Sequence, residues 1–193
     1  MESMTRVVAQ PSSPQSVPGI LTFIAADTAN FILFFGYFMV ERMQQPALFA
    51  RSAGLLDVPL GVLNTVILVS SGWLVALAVE AASTGDMHKV RRHLASAIGI
   101  GLCFGIVKAI EYAAKIAHGI TPQTDVFFTF YYVFTGVHLL HYVLGIALLV
   151  ATLARAQRAD AAFVAWIKSC ALFWHMVDLL WVFLFAMLYL QGA

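Results

Sequence analysis

Five apolar runs, each long enough to cross a lipid bilayer, constrain this chain more than any other feature. A hydrocarbon core asks for about 20 apolar residues in helix, and the runs fall at roughly 20–40, 60–82, 94–117, 126–154 and 166–190. The breaks between them are "ERMQQPALFARSAGLLDVP", with Pro46 and Pro59, the polar "STGDMHKVRRH", the turn "HGITPQTD" and the charged "RAQRADAA". Lipid offers no partner to a backbone N–H or C=O, so only helices and closed barrels span it. The runs lack the alternation of barrel strands. The expectation is an all-α polytopic membrane protein, a bundle of five transmembrane helices in one domain over 19–193, with no internal repeat. Segment 1–18 is polar and rich in Pro and Ser. It lacks the basic-then-apolar order of a cleavable signal peptide and reads as a flexible cytoplasmic tail, so that the first run acts as signal and anchor.

Composition agrees and narrows the function classes. The chain is 61% hydrophobic and 11% charged, more apolar surface than a soluble domain of 193 residues can bury. A net charge of +1 and the absence of any basic run argue against a nucleic-acid partner. Cys103 and Cys170 lie in or beside apolar runs without a CxxC or Cys/His cluster, and read as packed thiols. No Walker loop, GxSxG elbow or redox CxxC occurs.

Five spans put the two termini on opposite sides, and basic residues orient the chain. Arg6, Lys89, Arg91, Arg92, Arg155, Arg158 and Lys168 fall on one side, against Arg42, Arg51 and Lys115 on the other; Lys108 lies within a span. This asymmetry predicts a cytoplasmic N-terminus and an external C-terminus.

Polar residues within the spans carry the functional information, because ionisable groups at lipid depth are costly and face the protein interior. They are Asp27 and Asn30, then Asn64, Ser70 and Ser71, then Lys108 and Glu111, His138 and His141, and finally His175 and Asp178. Each of the last three pairs is spaced i, i+3, on one helical face. At about 1.5 Å of rise per residue, Asp27, His138, His141, His175 and Asp178 share one depth, roughly 8–15 Å from the cytoplasmic side. Lys108 and Glu111 fall nearer the outer surface. Three readings of the shared-depth residues stand open. They form a structural hydrogen-bonded network, a proton-handling site, or a metal site built from His and Asp. Against the last, HxxH and HxxD match neither HExxH nor the ExxH of di-iron bundles. Gly99, Gly101 and Gly105 read as close-approach positions. The aromatics Phe31, Phe34, Phe35, Phe127, Phe128, Phe130, Tyr131 and Tyr132 read as packing and interface anchors.

Taken in order, "FIAADTANFILFFGYF", "VPLGVLNTVILVSSG", "FGIVKAIEY", "FFTFYYVFTGVHLLHYVLG" and "FWHMVDLLWVFLFAMLY" resemble the haem-copper oxidase subunit III family over about 19–190. That family reads as an acidic residue followed by aromatics, then LPxxNTxxLxxSS, QxxEY, FFxxTGxHxxHVxxG and WHFxDxxWxxxF. Asn64, Thr65, Ser70 and Ser71 fall on the second motif, and Glu111 and Tyr112 on the third. Thr135, Gly136, His138, His141 and Gly145 fall on the fourth, and Trp174, His175, Asp178 and Trp181 on the fifth. Two positions depart: Asp27 stands where the family has Glu, and Lys108 where it has Gln. The two N-terminal helices of the seven-helix form are missing, which resembles the five-helix subunit of quinol-type and some bacterial oxidases and the accessory protein of nitric oxide reductase operons. Length, Asp27 and Lys108 lean towards the latter.

The resemblance implies a non-catalytic accessory subunit in a bacterial inner membrane. It implies no metal or haem of its own, structural phospholipids in a cleft, and support of assembly, stability and proton uptake. The partner would be a large catalytic subunit bearing haem with copper or iron. The rival expectation is a stand-alone membrane metalloprotein or a proton conduit using the Asp/His residues.

Overall fold

The computed structural model describes residues 16–157 and 160–190, so most of the expected N-terminal tail and Arg158 lie outside it. Six helices follow one another: α1 (Ser16–Gln44), α2 (Pro46–Ala53), α3 (Val58–Ser83), α4 (Met87–Ala117), α5 (Val126–Arg155) and α6 (Ala161–Tyr189). All but α2 are long and apolar enough to cross a membrane, and no strand occurs among the described residues.

The helix starts are written in aspartates. Asp57, Asp86, Asp125 and Asp160 each accept a hydrogen bond from the amide three residues on, at Leu60, Lys89, Phe128 and Phe163. Each satisfies one of the amides that a helix start leaves without an intrahelical partner. Gly85 and Gly119 end α3 and α4 with φ of 79° and 74°. Beyond α3 the Gly85 amide bonds Ala82 O and the Asp86 amide bonds Ala81 O, and Gly119 and Ile120 repeat the pattern onto Ile116 and Lys115. Only glycine adopts that left-handed turn without strain. Asp86 therefore closes one helix with its amide and opens the next with its carboxylate.

Two expectations need correction. The break after the first run is not all loop: Pro46 opens the eight-residue α2, since proline is tolerated in a first turn whose amides have no partner. α4 also starts at Met87 rather than near Leu94, so His88 to His93 are helical. The buried positions of α4 run Val90, Leu94, Ala97, Gly101, Phe104, Lys108, Glu111 and Lys115, a stripe of threes and fours that begins inside the polar segment.

α3 and α4 form the closest pair, with α6 against α3 and α5. Half of the apolar window of α6 is buried, against 11% for α1, which lies at the edge against α6. Glycines set the close approaches. A Cβ at Gly145 would meet the Trp174 ring at 2.7 Å, and one at Gly105 would meet the Tyr142 hydroxyl at 2.9 Å. A Cβ at Gly99 or Gly136 would meet nothing within 4 Å. Of the glycines expected to permit close packing, Gly101 and Gly105 do so and Gly99 does not. Cys103 and Cys170 are free thiols.

Candidate functional site

The intramembrane polar residues resolve into separate contacts. The largest lies where α4, α5 and α6 meet. Lys108 Nζ sits 3.0 Å from Glu111 Oε2 and donates to the Tyr131 and Tyr189 hydroxyls at 3.1 and 3.2 Å. Both hydroxyls donate to Glu111 Oε1, at 2.8 and 2.7 Å. The ammonium also lies about 5 Å from the ring centres of Tyr112 and Trp181, where the negative ring faces attract it. Lys108 and Glu111 are almost wholly buried. Every charge in the group has partners, as a buried ion pair must to offset its desolvation. Lys115 continues the stripe by donating to Leu55 O at 3.1 Å, and Ser52 donates to Asp125 at 2.7 Å. This group therefore lies towards the end of the bundle that holds α2 and the α4–α5 connection.

The second contact joins α1 to α5: His141 Nε2 lies 3.3 Å from Asp27 Oδ1. His141 Nδ1 is 3.0 Å from Val137 O, and because a carbonyl only accepts, Nδ1 carries a proton. Asp27 Oδ2 is buried without a partner among the described residues.

One turn earlier, His138 Nε2 donates to Val177 O at 3.1 Å, tying α5 to α6. The ring is fully enclosed against Phe104 and Trp181. His175 and Asp178 take neither partner. Their own contact, Nδ1 to Oδ2, is 3.7 Å long, beyond hydrogen-bond distance. Asp178 instead packs on α3, where a Cβ at Gly72 would overlap Oδ2. The shared depth thus brings Asp27 to His141 and places His138 beside the backbone at Val177, while the His175–Asp178 pair sits on another face. Among the described residues, no three His, Cys, Asp or Glu side chains gather as a metal-binding group.

The remaining motif residues are mostly interhelical ties. Trp181 Nε1 donates to Thr65 Oγ1 at 3.0 Å, and Ser71 donates to Ala97 O at 2.9 Å. Thr135 donates to Tyr131 O, so the Tyr112 hydroxyl is the donor in its short contact with Thr135. Asn64 is fully buried with neither amide atom partnered among the described residues, and Trp174 Nε1 is likewise unpartnered among them. Tyr131 and Tyr189 were missed as partners of Glu111. The only sequence signal for them was a tyrosine on the buried face of a helix that faces an intramembrane acid. Trp166 donates to Thr152 at 3.0 Å under the Arg155 guanidinium, a tie that no motif announced.

Comparison with known proteins bears on the whole chain. The family model described as cytochrome c oxidase subunit III matches residues 17–193. "Cytochrome c oxidase subunit 3" of Corynebacterium diphtheriae is 30% identical over 180 residues, covering 89% of this chain and 85% of that protein. The protein of that name from Synechocystis is 27% identical, covering 89% and 74%, and that from Thermostichus vulcanus is 29% identical, covering 90% and 86%. With five spanning helices, the motifs in order and a match that runs to the last residue, the chain belongs to the cytochrome c oxidase subunit III family.

Proposed function

We propose that the chain is a non-catalytic accessory subunit of a bacterial haem-copper respiratory complex, inserted in the inner membrane with its N-terminus cytoplasmic and its C-terminus external. The observation that carries this reading is the subunit III match over nearly the whole chain. The polar residues add support, since they tie helices together and do not converge on one reactive centre. Basic residues favour the orientation, with Lys89, Arg91 and Arg92 before the first apolar stretch of α4 and Lys168 near the start of α6. The partner is a large haem-bearing subunit. The names of the relatives favour an oxidase, whereas Asp27 and Lys108 favour a nitric oxide reductase. The test is purification of a tagged chain after mild solubilisation, with haem absorbance and mass spectrometry of the copurified large subunit. A haem-bearing partner at comparable amounts is expected, and its mass fingerprint distinguishes the two complexes. A chain that emerges alone sinks the reading.

Two supporting roles belong to it. An apolar groove between α1 and α6, lined by Leu21, Ile24, Phe31, Leu172, Leu179 and Phe183, suits a phospholipid acyl chain. The contact of Asp27 with His141 within the spans favours a part in proton uptake by the complex. Asp27→Asn removes the acidic site, and proton uptake measured over many turnovers is expected to slow. An unchanged rate with intact assembly removes the proton role and leaves the accessory role standing.

A further inference from the structure

Between the start of α3 and the end of α4 lies a pocket of about 360 Å³, bordered by Leu55, Asp57, Leu60, Ile110, Lys115 and His118. The charges around it differ in how far the chain itself satisfies them. Glu111 also borders it, but Lys108, Tyr131 and Tyr189 already occupy both of its oxygens. Lys115 gives one N–H to Leu55 O and makes no other hydrogen bond among the described residues, although an ammonium has three to give. Asp57 accepts the Leu60 amide through Oδ1, and its carboxylate has no further hydrogen bond among them. One cation and one anion with unused capacity therefore share the pocket. Residues 94–117 of α4 make about 36 Å of helix, against a hydrocarbon core of about 30 Å. The last turn, with Lys115, thus emerges at the level of lipid headgroups, and Asp57, the N-cap of α3, borders the same space. Leu55 and Ile110 are more than half exposed, as is Ile106 one turn deeper. The pocket therefore opens sideways to lipid, with an apolar strip leading from it towards the bilayer centre.

We propose that this pocket seats the headgroup of a phospholipid that carries a primary ammonium, with its phosphate on Lys115, its ammonium on Asp57 and its acyl chains along Ile110 and Ile106. The chemistry of the two open groups selects the ligand. A purely anionic headgroup meets the Asp57 carboxylate, and a lone cation meets the Lys115 ammonium. A zwitterion answers both, and Glu111 does not oppose its phosphate, because Lys108 neutralises that charge at 3.0 Å. A primary ammonium also has N–H groups to give to a carboxylate, which the quaternary nitrogen of a choline headgroup lacks. The site is separate from the apolar groove between α1 and α6. It stands on the membrane-spanning fold and does not depend on the accessory-subunit reading.

The test is native mass spectrometry of the full chain, purified in detergent with whatever accompanies it and stripped of lipid. It is titrated with phosphatidylethanolamine, phosphatidylcholine and phosphatidylglycerol of identical acyl chains, and with glycerophosphoethanolamine as the same headgroup in soluble form. Phosphatidylethanolamine is expected to bind about fivefold more tightly than the other two lipids, the equivalent of one charge contact at a membrane surface. Glycerophosphoethanolamine should not bind at the same concentration. Asp57→Asn keeps an oxygen for the Leu60 amide, so its melting temperature should stay unchanged while the preference among headgroups disappears. Lys115→Gln should weaken the binding of phosphatidylethanolamine by about fivefold, through loss of the phosphate contact. Equal binding of the three lipids by the unmodified chain overturns the proposal, as does a preference that survives Asp57→Asn. Equal binding of glycerophosphoethanolamine overturns lipid as the source of the headgroup. None of these outcomes bears on whether the chain brings down a haem-bearing subunit, so the two readings fail separately.

Discussion

Two acidic residues, Glu111 on α4 and Asp178 on α6, are both buried in the bundle and are treated in opposite ways. Glu111 receives an ammonium and two phenol hydroxyls. Asp178 receives none, and leans on a glycine and a distant imidazole. Burial without partners is costly in either case. A group whose every atom is satisfied within the chain explains itself as a fastening. Asp178 is instead left open towards α3 and the half-exposed His175. The contrast separates the part of the polar inventory that holds the bundle from the part that faces outward.

The sharpest way to break this contrast is to remove one charge of the closed group. Glu111→Ala strands Lys108 in the interior and leaves two tyrosine hydroxyls without their acceptor. The expected loss is about 3–5 kcal/mol, as for other buried pairs deprived of one partner. The double replacement Lys108→Met with Glu111→Leu should recover the part due to the stranded charge, because apolar side chains need no counter-charge, while the Tyr131 and Tyr189 hydroxyls still lack their acceptor. Equilibrium unfolding in mixed detergent micelles measures both. Equal losses in the single and double variants mean that packing, not charge pairing, holds this corner.

On the open side, the close approach of Asp178 to α3 sets the next effect. Gly72→Ala places a methyl where Oδ2 now lies, and the carboxylate must shift. About 1–3 kcal/mol of destabilisation is expected, the usual range for overpacking. Gly136→Ala is the control, with nothing within 4 Å of the new methyl and an expected change within about 0.5 kcal/mol. If Gly72→Ala is as silent as Gly136→Ala, Asp178 is free to move and its packing on α3 is not what positions it.

Much of this was legible before any coordinates, for physical reasons. Five spans follow from the length that hydrocarbon imposes, whereas the capping role of Asp57, Asp86, Asp125 and Asp160 shows only where their carboxylates meet helix-start amides. The start of α4 was hidden because Lys89, Arg91 and Arg92 occupy exposed positions of a helix. Only the i, i+4 spacing of Val90 and Leu94 shows that the buried stripe has begun. Depth grouped Asp27, His138, His141, His175 and Asp178 together, but depth carries no azimuth: Asp27 meets His141, while His175 and Asp178 face α3. Tyr131 and Tyr189 were concealed by composition: in a chain so rich in aromatics, a tyrosine that serves a buried acid looks like one that anchors an interface.

The Asp27–His141 contact tests whether a half-closed pair behaves like the closed group or the open one. Asp27→Asn keeps the shape and removes the acidic site. α1 is the least buried of the spanning helices, so little else depends on the contact. A loss of about 0.6 kcal/mol is expected, the average for one interhelical hydrogen bond in a bilayer, from the same unfolding measurement. A loss near that of Glu111→Ala would place the pair among the fastenings.

The smallest effect is expected at a carboxylate outside the spans, where water replaces the missing partners. Asp86 accepts from the Lys89 amide at 3.1 Å and pairs with its ammonium at 3.0 Å. The amide bond first, and then the side chain of Lys89, hold Asp86 below the ordinary value of 3.8. A depressed value means that the cap contributes above the unfolded pKa and is lost as pH falls through the lower folded one. Hydrogen exchange at the Lys89 amide, expressed relative to its intrinsic rate, should therefore show constant protection at neutral and mildly acid pH and lose it only below 3.8. Asp86→Asn, which keeps an accepting oxygen, should abolish the pH dependence while retaining most of the protection. Because the site is solvated, the bundle as a whole should not notice. If global unfolding follows the same titration, the start of α4 is coupled to the closed group further along its stripe, and the separation between solvated and buried carboxylates fails at that helix.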